Sequence, residues 1–272
     1  MLWWTQRRIA RAFCSAVACL MLMGVVACAR TSAAPSTIPA FHLNVVRSFP
    51  HDPRAFTQGL LFLDGKLYES TGLHGRSTVR RVDLESGQVE RESKLPAELF
   101  GEGLARVGQR LIQLTWKNHK ALLWDLANLE KQAEVSYDGE GWGLCFDGRQ
   151  LIMTDGSDKL YRRNPISFAK EGETTVHLAG RPLRNLNELE CSGDVIYANV
   201  WQDNHIARID AKTGTVTAWI DASGLLDASE AASTDVLNGI AELRPGRLLV
   251  TGKLWPRLFE VEVVPGKRAE DR

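Results

Sequence analysis

Five times the chain returns to one short phrase, close to Gly-(Ile/Leu)-x-x-x-x-Gly, leading into an apolar run that reads as a β-strand. The copies occupy residues 59–66, 103–110, 143–150, 189–195 and 239–247, and the runs that follow include 66–70, 110–115 and 247–251. Self-similarity at a period of about 40 to 50 residues means that each repeat is one supersecondary unit, which buries its apolar face only by stacking on its neighbours. Within residues 66–91 the pattern is strand, polar turn, strand, turn at Glu85-Ser86-Gly87, and strand again, which is an antiparallel meander. The plan recurs in 110–137, in 150–178 with a break at Asn164-Pro165, and in 195–220 with a turn at Ala211-Lys212-Thr213-Gly214. These repeats predict an all-β chain, a five-bladed β-propeller.

The fifth copy is split, with 247–264 near one end and the isolated apolar run 41–49 near the other. A closed ring needs its last blade completed, so 41–49 is expected to close it and remove an exposed edge. Residues 221–236 break the period, and their Ala, Ser, Leu and Glu content predicts a short helix or a loop over one face.

A chain of 272 residues with 44% hydrophobic residues is long enough for a full core in one closed domain, expected over 41–264. Its 33 basic and 33 acidic residues balance, so nothing attracts it to a phosphate backbone, and nucleic acid is not expected as a partner. A closed ring without free edges is consistent with a monomer.

Residues 1–28 read as an export signal: Arg7, Arg8 and Arg11 precede an apolar stretch over 12–27. Its end supports two readings. Val25-Val26-Ala27-Cys28 resembles a bacterial lipobox, making Cys28 a lipid-bearing first residue and the only route to a membrane; otherwise ordinary cleavage falls near Ser32-Ala33-Ala34. Either places the body outside the cytoplasm, in the periplasm. Residues 29–40 suit a flexible tether and 265–272 a polar tail. Cys14 and Cys19 belong to the leader, and Cys145 and Cys191, in equivalent strand contexts, are expected as buried thiols rather than a disulfide. No zinc-ligand spacing occurs.

Equivalent positions of a propeller converge on its channel. Phrases beside the repeats therefore carry weight: Phe56-Thr57-Gln58-Gly59, Phe100-Gly101-Glu102-Gly103 and Glu140-Gly141-Trp142-Gly143. With Leu60 added to the first, and with Tyr68-Glu69-Ser70-Thr71-Gly72, Leu114-Thr115-Trp116-Lys117, Leu186-Asn187-Glu188-Leu189-Glu190, Ala198-Asn199-Val200-Trp201, Leu237-Asn238-Gly239-Ile240 and Thr251-Gly252-Lys253-Leu254-Trp255-Pro256, they cover about residues 41–262. In this order they resemble the glutaminyl-peptide cyclotransferases of the plant and bacterial type, which are five-bladed propellers.

That resemblance implies conversion of the N-terminal glutaminyl residue of a peptide or protein into pyroglutamate, with release of ammonia. The α-amine attacks the γ-carboxamide of its own residue, so one carboxyl group can move the proton from the amine to the departing nitrogen. Glu102 is the expected proton carrier, set between glycines with Phe100 keeping water away and raising its pKa. The bland alternative is a glutamate that satisfies strand-end amides.

Trp116, Trp142 and Trp201, with Phe56 and Phe100, are expected as pocket walls. Gln58, Asn187 and Lys253 are the expected polar contacts, with Lys253 or Asn187 stabilising the oxyanion. Glu69 is expected just behind the pocket and Glu190 in a structural role, while Trp124 and Trp219 read as core and Trp255 as intermediate. The histidines at 51, 74, 119, 177 and 205 read as scattered through loops and outer positions, and no Gly-x-Ser-x-Gly nucleophile accompanies them. No cofactor is expected in catalysis, and any divalent cation is expected to be structural. Two rivals are a non-catalytic periplasmic propeller that binds peptides or supports envelope assembly, and a metal-dependent propeller lactonase.

Overall fold

A computed structural model describes residues 38–266. The leader, Cys28, most of the tether and the end of the tail lie outside the described residues.

The described chain is all-β, apart from one helical turn. β1 (Ala40–Pro50) is followed by two four-stranded antiparallel meanders: β2 to β5 (Thr57–Leu63, Lys66–Thr71, Thr78–Asp83, Val89–Lys94) and β6 to β9 (Gly101–Val107, Arg110–Thr115, Lys120–Asp125, Lys131–Ser136). A third comprises β10 to β13 (Leu144–Phe146, Leu151–Met153, Lys159–Arg163, Lys170–Thr175), followed by the small pair β14 (His177–Leu178) and β15 (Arg181–Pro182). Next come β16 to β19 (Leu186–Ser192, Val195–Val200, His205–Asp210, Val216–Asp221), α1 (Ala228–Ala231), and β20 to β22 (Leu237–Arg244, Arg247–Gly252, Arg257–Pro265). The 221–236 segment thus contains both a short helix and loop. β1 lies between β19 and β22, parallel to the first from Ala40 to His42 and antiparallel to the second from Phe41↔Pro265 to Pro50↔Arg257.

One local device recurs between third and fourth strands. Asp83, Asp125, Asn164 and Asp210 each turn a side-chain oxygen onto backbone amides two or three residues ahead, the Asx arrangement that lets a short polar side chain stand in for a turn. The left-handed residue that ends each turn is Gly87, Leu129, Phe168 or Gly214. Leu129 and Phe168 bear this strained backbone with their side chains buried in the core.

The first strands form a ring: β2 packs beside β6, β6 beside β10, β10 beside β16, β16 beside β20, and β20 beside β2. Five apolar clusters fill the spaces between consecutive sheets, one joining Leu61 and Val79 to Leu104 and Trp124, another joining Leu60 and Val82 to Ala241 and Leu249. Trp219 packs half-buried against one of these clusters and Trp255 is buried within another.

The repeated glycines set how close the ring can draw. A Cβ on Gly59 would lie 2.5 Å from the Leu104 nitrogen, on Gly103 2.5 Å from the Leu144 nitrogen, and on Gly143 1.9 Å from the Asn187 oxygen. Any side chain at these positions would push neighbouring strands apart. The fourth repeat breaks the rule, with Glu188 where the others have glycine. Its fully buried carboxyl accepts the Leu60 amide at 3.2 Å and the Ile240 amide at 2.8 Å, tying β16 to β2 and β20.

The free-thiol expectation for Cys145 and Cys191 is corrected, because the two are joined by a disulfide with their Cα atoms 5.5 Å apart. They stand on β10 and β16, first strands that are neighbours in the ring. The bond closes a loop across 46 residues, so replacing both cysteines with serine is expected to lower unfolding free energy by roughly 2–4 kcal/mol. Guanidinium unfolding checks this, and the wild-type chain in excess dithiothreitol should shift toward the variant.

Candidate active site

The residues preceding the repeat glycines, or Glu188, are Gln58, Glu102, Trp142, Asn187 and Asn238, so the ring geometry brings these five side chains toward one end. Residues that follow second strands arrive there too, with Trp116 after β7, Trp201 after β17 and Lys253 after β21. Together with Phe56 and Phe100, all but Asn238 line a single cavity of about 300 Å³. The structure thus gathers the predicted Glu102 and all eight predicted contact residues around one space.

The walls are mainly aromatic. Phe56 meets Phe100 edge-on at 6.0 Å, Phe100 tilts against Trp116 at 5.7 Å, and Trp142 meets Trp201 edge-on at 5.7 Å. Two glycines make room for the rings: a Cβ on Gly72 would strike Phe100 at 2.3 Å and one on Gly156 would strike Trp142 at 2.7 Å. Trp201, 37% exposed, forms the lip.

The polar groups are few and buried. Burial pushes the Glu102 carboxyl well above the ordinary carboxylate range, with Lys253 working against that shift and Glu140 adding to it. Burial pulls Lys253 below the usual lysine range, opposed by Glu102 and Asp235. The Lys253 ammonium lies 4.8 Å over the Phe56 ring, and its backbone is pinned by hydrogen bonds with Val236 and Asp235. Asn238 donates to the Gln58 side-chain oxygen at 3.1 Å, leaving the Gln58 NH2 group as a donor. Asn187 Oδ1 is buried without a hydrogen-bond partner among the described residues. A buried, unpaired amide oxygen is costly, and a donor brought by a ligand would relieve it.

Glu69 lies outside the cavity, behind β2. Its carboxylate accepts Thr57 Oγ1 at 2.6 Å, Arg80 Nε at 2.8 Å and His51 Nε2 at 3.2 Å. Burial alone would raise its pKa, but Arg80 and then His51 hold it well below the ordinary range. The sequence reading of His51 as a loop or outer histidine is corrected: it is buried, and its Nδ1 bonds the Trp255 carbonyl at 2.7 Å. The cluster therefore joins β2, whose second residue is Gln58, to the turn that follows Lys253.

Glu190 accepts the Glu242 amide at 3.0 Å, away from the cavity, and burial pushes its carboxyl up to about 8. Sequence reasoning gave no role to Asn238 or Glu140, although both stand inside quoted phrases. Asn238 was signalled by its place before a repeat glycine. Among the described residues, no group of three or more His, Cys, Asp or Glu side chains is arranged to hold a metal ion.

A family model described as glutamine cyclotransferase matches residues 16–263. The chain belongs to the glutamine cyclotransferase family. It is 45% identical over 228 residues to a glutaminyl-peptide cyclotransferase of Arabidopsis thaliana, covering 81% of this chain and 71% of the relative. The crystal structure of Myxococcus xanthus glutaminyl cyclase superposes with a TM-score of 0.76 at 40% identity, covering 85% of this chain and all of that one. Membership of the glutamine cyclotransferase family thus rests on sequence and on fold together.

The Glu69 cluster yields a test of its own. Glu69→Ala leaves the Arg80 guanidinium buried beside only Asp52 and is expected to cost roughly 3–5 kcal/mol. Denaturant unfolding measures the loss, and adding Arg80→Met should recover part of it, because the two changes share one interaction.

Proposed function

We propose that this cyclotransferase converts the N-terminal glutaminyl residue of a peptide or protein into pyroglutamate, releasing ammonia. The observation that carries this reading is one buried carboxyl, Glu102, facing an aromatic cavity beside one buried cation, Lys253. Family membership and the names of the two relatives point to the same reaction.

The walls confine the glutaminyl chain with its amine folded back on its γ-carbonyl carbon, replacing an encounter in solution with a held geometry. Glu102 takes a proton as the amine nitrogen bonds to that carbon, and the carbonyl oxygen gathers negative charge. Lys253 offers the charge-matched donor for that oxygen. Asn187 Oδ1, which has no partner among the described residues, suits the carboxamide N–H. Glu102 then returns the proton to the departing nitrogen, the old carbon–nitrogen bond breaks, and ammonia leaves. The raised Glu102 pKa helps both halves, because a carboxyl poised closer to neutrality gives and takes a proton readily.

This reading includes the architecture. The ring of first strands and the seat of β1 between β19 and β22 support a five-bladed propeller whose last blade β1 completes. It includes export to the periplasm, supported by the arginine-led apolar leader and by a disulfide, which persists in oxidising compartments. The alternative of a binding protein without turnover has no use for a carboxyl held buried above its ordinary pKa.

Ammonia release from a short peptide with N-terminal Gln tests the proposal. Glu102→Gln is expected to reduce kcat by about 10²–10⁴ while peptide affinity stays close to wild type. Turnover should persist in excess chelator, because the proton traffic runs through a side chain; a chelator-sensitive rate would favour a metal-dependent enzyme.

The pH profile gives a second check. Activity needs ionised Glu102, so the acid limb of kcat should lie above the ordinary glutamate value of about 4.3. Lys253→Met removes the cation that opposes the burial of Glu102. Residual turnover should fall by roughly 10²-fold or more, and its acid limb should move to higher pH. A limb that stays in place or moves down would count against this pairing of the two groups.

A further inference from the structure

Glu140 lies outside the cavity, yet it governs two of the cavity's walls. One of its oxygens, Oε2, accepts the indole N–H of Trp116 at 2.8 Å and that of Trp142 at 3.1 Å. The other, Oε1, lies 3.5 Å from Lys117 Nζ, whose ammonium sits 4.0 Å over the Trp116 ring. The two tryptophans come from different sheets, one following β7 and the other preceding β10. Gly141 donates its amide to the Trp116 carbonyl at 2.9 Å, which ties the backbone next to Glu140 to that of Trp116.

An indole turns broadly about its second side-chain torsion unless a contact fixes it. Packing limits Trp142 on one face, where the bare backbone of Gly156 lies against the ring, but neither indole N–H has another hydrogen-bond partner among the described residues. A carboxylate that accepts both makes two charge-assisted hydrogen bonds, stronger than neutral ones, and locks the rings relative to each other. We infer that Glu140 is a positioning residue, whose carboxylate holds Trp116 and Trp142 in the orientation that confines the glutaminyl chain. This deepens the cyclotransferase reading and rests on it.

Glu140 also acts through its charge. The charged groups that bear on Glu102 are Lys253 and Glu140, and Glu140 is the like charge that, after burial, helps keep the Glu102 carboxyl raised, while Glu102 in turn bears on the buried Tyr137 hydroxyl. Glutamine at 140 would keep a carbonyl acceptor for the indoles and lose that charge. The two contributions therefore separate by substitution.

The experiment compares full-length wild type, Glu140→Ala and Glu140→Gln in steady-state ammonia release and in the indole N–H region of the NMR spectrum, assigned with Trp116→Phe and Trp142→Phe. Glu140→Ala is expected to raise KM roughly tenfold or more with a smaller change in kcat, and to move the two indole signals upfield as their acceptor is lost. Glu140→Gln should recover most of the KM while moving the acid limb of the pH profile downward. An unchanged KM in Glu140→Ala, unmoved indole signals, or a glutamine variant as impaired as the alanine variant would each overturn the inference. If the wild-type chain itself releases no ammonia, the cyclotransferase reading fails. The indole signals and quenching of tryptophan fluorescence by a peptide with N-terminal Gln then decide the Glu140 inference alone.

Discussion

The closeness of the first strands is the constraint on which the rest of the structure depends. At Gly59, Gly103 and Gly143 a missing side chain lets one strand rest against the backbone of the next, and the ring is as narrow as those contacts permit. Glu188 takes the remaining space and spends its carboxyl on amides of two other strands. Burial and the nearby Glu190 raise its pKa well above the ordinary carboxylate range, while the two amides that it accepts work against that shift. A narrow ring also fixes the cavity, because the residue before each of those positions is carried to the same end.

The chemistry follows from that placement. Nine residues carried on or beside the first and second strands around the ring reach one cavity, and most of them are carbon-rich walls. The low-polarity surroundings that exclude water also penalise charge, which is why the acid and the base of the site are both displaced toward their neutral forms. Behind the walls, Glu69 and its partners form the opposite case, a buried carboxylate kept ionised by a guanidinium at 2.7 Å. The two glutamates differ in the partners at hand rather than in how deeply they lie.

Much of this was legible in the sequence, for one reason: a repeat turns equal spacing along the chain into shared position in space. Gln58, Glu102 and Trp142 could be placed together because each precedes the same glycine, and the resemblance of the phrases to a family supplied Asn187 and the chemistry. What was not legible depends on distances across sheets. Cys145 and Cys191 occupy equivalent strands, but only the folded ring sets their separation at 5.5 Å. His51 precedes the repeats and offered no periodic signal, so its bonds to Glu69 and to the Trp255 carbonyl stayed hidden. Glu140 sat inside a recognised phrase, but its role arises from Trp116, 24 residues away and on another sheet.

The seat of β1 bears on the order in which the protein can assemble. Phe41 pairs with Pro265 and Pro50 with Arg257, so the first described strand takes its antiparallel partner from the last. Contacts of such sequence separation form slowly, because the loop between them must be closed before they contribute. Until β22 emerges, β1 has no antiparallel neighbour and the sheet cannot complete its hydrogen bonding. A chain built this way stays open until its last strand is in place, whatever the order in which the sheets between them form.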